Sequence, residues 1–168
     1  MSGEIIRSFA SPAANPRGMA WDGKHLWACE YGTDLIYQLN INGVVIRSFA
    51  APAGNTLGVA WDGKHLWACD DDADLIYQLD KNGVVIRSFA TPAVSSRGVT
   101  WDGKHLWSSD DGTNEIFQLN INGVLIRGFR TPAVNPRGDV WGGKHLWSCD
   151  LFTKLIYQLN IKGVIIRI

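Results

Sequence analysis

Glu30, Asp70, Asp110 and Asp150 recur at intervals of 40 residues, and each opens a short loop: Glu30-Tyr31-Gly32-Thr33, Asp70-Asp71-Asp72-Ala73, Asp110-Asp111-Gly112-Thr113 and Asp150-Leu151-Phe152-Thr153. If these loops converge, their hard oxygen donors can hold Ca2+ or another divalent ion, which would polarise a carbonyl or activate a water. The competing role is structural, with the first acid of each loop accepting hydrogen bonds from nearby backbone N–H groups and needing no cofactor. Arg17, Arg97 and Arg137 share one repeat position, broken by Leu57. With Tyr31, Asp71 and Asp111 on the loops, they are candidate ligand contacts, and loop arginines in solvent are the alternative. Asp139 stands where the other copies have Met19, Val59 and Val99, and is a candidate break in the symmetry.

His25, His65, His105 and His145 recur identically. A catalytic site pairs one acid with one base tuned apart, so fourfold repetition points instead to a satisfied hydrogen bond near a turn. Cys29, Cys69 and Cys149 share a position that Ser109 fills in the remaining copy. An odd count with a serine substitute argues against a disulfide framework and for small buried thiols in a reducing compartment. No nucleophile elbow, phosphate-cradling glycine loop, zinc-type cysteine pair or His-Glu pair at helical spacing is present. No catalytic residue is therefore assigned.

These residues ride on a repeat. Trp-Asp-Gly-Lys-His-Leu-Trp begins at Trp21, Trp61 and Trp101 and returns at Trp141 with Gly142 in place of the aspartate, a fixed 40-residue period. Each period holds four short runs rich in Val, Ile, Trp, Tyr and Phe, with no apolar pattern at helical spacing. In the first copy the strands are expected at about residues 18–22, 24–29, 35–40 and 44–50. Asp22-Gly23 and Asn42-Gly43 predict two-residue type I′ hairpins at one end, and the long connections gather at the other. Four-stranded antiparallel units of this length arranged radially make a β-propeller, with repeats at about 11–50, 51–90, 91–130 and 131–168 forming one domain over 1–168. All eight tryptophans are expected in the core between blades.

The run from Pro16 to Glu30, followed by Leu35-Ile36-Tyr37-Gln38-Leu39 and Gly43-Val44-Val45-Ile46, resembles an NHL repeat and the related blades of gluconolactonase-like and streptogramin-lyase-like propellers. The likeness covers the whole chain and is specific for blade type. It implies six or seven blades, against four here, and the lactonase-like relatives imply a central metal.

Outer-strand text occurs five times, including Glu4–Ala10 and the truncated 164–168. Two chains meeting head to tail as an eight-bladed ring would leave no exposed end, and a single four-bladed ring is the alternative. Sixteen basic residues balance sixteen acidic ones, giving no excess field for nucleic acid or membrane partners. The residues from Met1 to Arg7 lack a signal peptide's basic and apolar regions, so the expected location is cytoplasmic. Repetition favours avidity over catalysis. The expected function is a non-catalytic binding or scaffold propeller for protein or glycan ligands, self-associating as a homodimer. A metal-assisted lyase or lactonase is the second reading. An amplified or engineered repeat with no evolved ligand is the third.

Overall fold

The computed structural model describes residues 4–166. The first blade comprises β1 (Pro16–Trp21), β2 (Leu26–Glu30), β3 (Leu35–Leu39) and β4 (Val45–Ala50). The second comprises β5 (Thr56–Trp61), β6 (Leu66–Asp70), β7 (Leu75–Leu79) and β8 (Val85–Ala90), and the third β9 (Ser96–Trp101), β10 (Leu106–Asp110), β11 (Glu115–Leu119) and β12 (Leu125–Arg130). The fourth holds β13 (Pro136–Trp141), β14 (Leu146–Asp150) and β15 (Ile156–Leu159). Each sheet is an antiparallel meander in sequence order, and together they make a four-bladed β-propeller. The fourth blade departs from the expected four strands: among the described residues only the bridge Leu159↔Ile165 marks a fourth. Residues 4–10, expected as an outer strand, pair with no strand, and 167–168 lie outside the described residues.

The inner strands pack in series, β1 on β5, β5 on β9 and β9 on β13, but β13 does not pack on β1 in this way. Close approach of the inner strands explains the Gly18-Gly58-Gly98 track. A Cβ on Gly18 would lie 2.6 Å from Gly58 Cα, and one on Gly58 would lie 2.8 Å from Val99 N. Between the sheets sit Trp27 with Ile36, Val59 and Leu66, and then Trp67 with Ile76, Val99 and Leu106. The expectation that all eight tryptophans sit between blades holds at the internal seams and fails where β13 does not pack on β1. Trp27, Trp67 and Trp107 are fully buried, and Trp61, Trp101 and Trp141 pack half-buried against the same clusters, Trp61 stacked on Trp27 and Trp141 on Trp107, whereas Trp21 on the uncovered first blade is exposed and Trp147 on the fourth is half-buried. The cysteines divide too: Cys29 and Cys69 are buried but Cys149 is exposed, because no blade covers its side of the fourth sheet.

The hairpins are not type I′. That turn requires positive φ at both central residues, yet only Gly23 (φ 93) and Gly43 (φ 82) adopt it. Asp22 Oδ1 instead accepts from the backbone N–H groups of Lys24 and His25, while Asp22 N donates to His25 O and closes the turn. Its other oxygen receives Trp27 Nε1 at 3.0 Å, so one aspartate fixes both the turn and the core indole. Burial opposes this charge, but the hydrogen bonds from His25, Lys24 and Trp27 outweigh it and hold the Asp22 carboxyl at about 2.

Gly142 removes this device from the fourth blade and leaves Trp147 without a carboxylate acceptor. Gly142→Asp is expected to stabilise the chain by about 1 kcal/mol in urea denaturation, the net value of a hydrogen bond regained. A Cβ there would lie 2.8 Å from Trp147 Nε1, so the indole must swing outward to meet the new partner.

Candidate functional site

The inner strands surround an axial cavity of about 840 Å3. At the long-loop end its lining includes Arg17, Tyr31, Asn55, Arg97, Arg137 and Leu151, and deeper in come Met19, Val59, Val99 and Asp139. A second hollow of about 370 Å3 at the hairpin end is lined by Trp21, Trp61, Trp101 and Trp141, again with Asp139.

The acidic set does not form a metal cage. Glu30 Oε1 accepts from Asn15 N at 2.6 Å, and Oε2 from Thr33 N and Thr33 Oγ1. Asp70 takes Asn55 N and Ala73 N, Asp110 takes Ser95 N and Thr113 N, and Asp150 takes Asn135 N and Thr153 N. Each carboxylate thus ties the two long connections of its own blade together. Among the described residues no three His, Cys, Asp or Glu side chains gather where they could hold an ion. The hydroxyl of Thr33 holds the Glu30 carboxyl below the usual range, and at Asp150 the N–H donors do so against burial.

The arginines meet the loops across the seams. Arg97 Nη1 lies 2.7 Å from Asp71 of the preceding blade, and its Nε lies 2.9 Å from Asp111 of its own. Arg137 reaches back to Asp111 at 3.1 Å, and Arg17 lies over the ring of Tyr31. Burial, and crowding by Asp111, Asp72 and Asp74, push the Asp71 carboxyl up against the pull of Arg97. Arg17, Tyr31, Arg97, Arg137, Asp71 and Asp111 are therefore brought together at one mouth, largely as partners of one another.

Asp139 is half-buried between the third and fourth blades, but both carboxylate oxygens are closed off from solvent and neither has a hydrogen-bond partner. This enclosure pushes the carboxyl up to about 6, against the pull of the Ser109 and Ser148 hydroxyls beside it. A Cβ on Gly98 would lie 3.0 Å from Ser109 Oγ and 3.2 Å from Asp139 Oδ2, so the two departures from the repeat meet at one spot. In the preceding seams the same spot holds Cys29 with Val59, and Cys69 with Val99.

The histidines are structural. Arg47 Nε donates to Gln38 Oε1, which turns Gln38 Nε2 toward His25 Nδ1 at 3.2 Å. The same nitrogen lies 3.3 Å from Asp22 Oδ2, so the ring links the glutamine to the turn aspartate. His65 repeats the arrangement with Gln78 and Arg87.

Sequence reading missed the separation of charge that the fold produces. Lys24, Lys64, Lys81, Lys104, Lys144 and Lys162 all stand exposed on hairpin turns, at the end opposite the acidic loops. The neutral total conceals two ends of opposite sign. The signal lay in the repeat itself, since each lysine of the Trp-Asp-Gly-Lys series follows its tryptophan by three residues.

No protein-family model matches the chain, and no curated protein matches it by sequence. Solved structures do. Myxococcus xanthus glutaminyl cyclase superposes with a TM-score of 0.83 at 14% identity, over 96% of this chain and 73% of that one. A virginiamycin B lyase from Staphylococcus aureus gives 0.67 at 22% identity, over 95% and 57%. Kuenenia stuttgartiensis hydrazine synthase gives 0.69 at 17% identity, over 98% and 52%. The chain thus spans little more than half the length of the latter two. These likenesses establish the propeller fold, and the resemblance to streptogramin-lyase-like blades fits them.

Proposed function

We propose that this chain is a non-catalytic, multivalent binding propeller whose ligand is an anionic glycan held at the hairpin end. The carrying observation is the arc of partly open tryptophans, Trp21, Trp61, Trp101 and Trp141, lining one hollow, with an exposed lysine three residues beyond each. Sugar C–H faces lie on aromatic rings, and ammonium groups at the same spacing suit carboxylate or sulfate substituents. None of Lys24, Lys64, Lys104 and Lys144 is engaged in a salt bridge among the described residues. The arginines at the opposite mouth are less available, because Asp71, Asp111 and Tyr31 already occupy them.

Titration of heparin oligosaccharides, followed by tryptophan fluorescence, tests this. Binding should weaken as salt rises, and dextran should not compete. Changing all four lysines to glutamine should weaken binding roughly fourfold or more, the sum of four exposed ion pairs at about 0.2–1 kcal/mol each. Binding unaltered in that variant, or none by the wild-type chain, would sink the reading.

A further inference from the structure

We infer that a second copy of this chain seats in the open flank between the fourth and first blades, head to tail, so that two chains share one eight-bladed ring about a two-fold axis. Three independent features of the chain lead there, and none depends on the glycan reading.

The first is the pair of uncovered faces. Each internal seam joins the Cys29/Ile36 face of one blade to the Val59/Leu66 face of the next. The fourth blade presents the first of these faces with nothing on it: Ile156 is 71% exposed, while Ile36, Ile76 and Ile116 are 0%. The first blade presents the other, with Met19 57% exposed where Val59 is 3% and Val99 is 4%. A surface that binds its neighbour three times within the chain is thus available at one end, and its complement is available at the other. Burying both at once requires a heterologous interface that closes on itself.

The second is Gly138. In Gly18 and Gly58 the missing side chain makes room for the next inner strand, but a Cβ on Gly138 would meet only Cys149 Sγ, at 3.6 Å. Inner-strand backbone arriving from a second copy would fill that space.

The third is the segment Glu4–Ala10. Phe9 lies on Gly43 as Phe49 lies on Gly83 and Phe89 on Gly123. Arg7 Nη1 donates to Asn42 Oδ1 at 2.7 Å, as Arg47 donates to Asn82 and Arg87 to Asn122 at 2.8 Å. The segment therefore occupies the place of the outer strand of a blade preceding the first, with no third strand beside it. The fourth blade has the converse lack, since among the described residues the outer edge of β15 is bridged only at Leu159, with Ile166 N donating to Gln158 O. The Ile36↔Phe49 register of the intact blades, carried round the ring, sets Phe9 of one copy opposite Ile156 of the other. It displaces the chain's own 164–166 segment beyond its first rung.

The loops at the seam are compatible. At the second and third internal seams an arginine reaches back to Asp71 or Asp111, and at the first Leu57 takes its place. At the new seam Leu151 holds the acid's position, but Arg17 is already stacked on Tyr31 and is not stranded. Closure would also set Trp147 of one copy against Trp21 of the next, as Trp27 stacks on Trp61 and Trp107 on Trp141 at internal seams.

Light scattering on the 168-residue chain over a dilution series is expected to give twice the 18.6 kDa of one chain. Gly138→Val should shift it to the monomer with unchanged far-UV circular dichroism, because the side chain has room in the isolated arc. Met19→Cys should form an oxidation-dependent cross-link to Cys149 of the second copy, as the contact between Cys29 and Val59 predicts. A monomer at tens of micromolar, a Gly138→Val chain that remains dimeric, or a dimer that Met19→Cys fails to cross-link each overturns the inference.

Discussion

Gly58→Ala is expected to destabilise the chain by about 3 kcal/mol or more, read as a lowered midpoint in urea denaturation. Overpacking a close-packed site costs typically ~1–3 kcal/mol where side chains can adjust, and here the obstacle is main chain. The new Cβ would stand 2.8 Å from Val99 N and 3.1 Å from Gly98 Cα, with Cys69 Sγ at 2.9 Å behind it. Relief requires β5 and β9 to separate, and that would strip cover from Trp67 and Val99 in the seam they share. Against this stands only the gain of about 0.4–1 kcal/mol from the stiffer unfolded chain. Gly98→Ala provides the internal comparison. Its nearest neighbours are the Ser109 hydroxyl at 3.0 Å and the Asp139 carboxylate at 3.2 Å, both ends of side chains able to turn away, and the nearest main-chain atom, Asp139 N, stands off at 3.3 Å against 2.8 Å at Gly58. Its cost should be less than half that of Gly58→Ala. Equal costs would mean that glycine is set at these positions by something other than strand approach.

Much of this architecture is legible in the residues, because a 40-residue period with four β-rich runs leaves few folds open. The strands fall within a few residues of their expected places, and the acids opening the long loops do close turns, through donors such as Asn15 N and Thr33 N. What is not legible depends on packing between blades. Alternation along β2 says that Trp27 and Cys29 share a face. It does not say which strand of the next blade meets that face, nor that Trp61 stacks on Trp27 and Trp141 on Trp107 across the seams. The turn type escapes the sequence because Asp22-Gly23 has the form of a backbone device, whereas the aspartate acts through its side chain on Lys24, His25 and Trp27. The departures at Ser109 and Asp139 are each visible, but their meeting is not, since they lie 30 residues apart on facing blades. The neutral total charge conceals the two charged ends for a similar reason, because a sum over the chain carries no direction.

Asp139→Val should raise stability at pH 7.5 by roughly 2–3 kcal/mol and leave it nearly unchanged at pH 4. Asp139 titrates at about 6 in the folded chain against 3.8 for the free side chain, and each tenfold change in proton affinity between the two states is worth about 1.4 kcal/mol. Below 3.8 the carboxyl is protonated in both states and adds no penalty. Between that value and about 6 the unfolded chain releases its proton while the folded chain retains it, so stability falls as pH rises. Above about 6 both states are ionised and the penalty stays constant, because enclosure between the blades disfavours the charge and neither oxygen has a hydrogen-bond partner to offset it. Valine fits the site, since Val59 and Val99 hold the equivalent positions nearly fully buried. Acid also weakens the chain through Asp22 and its equivalents Asp62 and Asp102, whose carboxyls are held low. Wild type and variant share that loss, so the difference between their denaturation curves at the two pH values isolates Asp139. A constant difference across pH would mean that packing of the methyl groups accounts for the gain. A difference that grows from pH 4 to pH 6.5 would identify a charge retained at the expense of stability, at a position where the other inner strands carry Met19, Val59 and Val99.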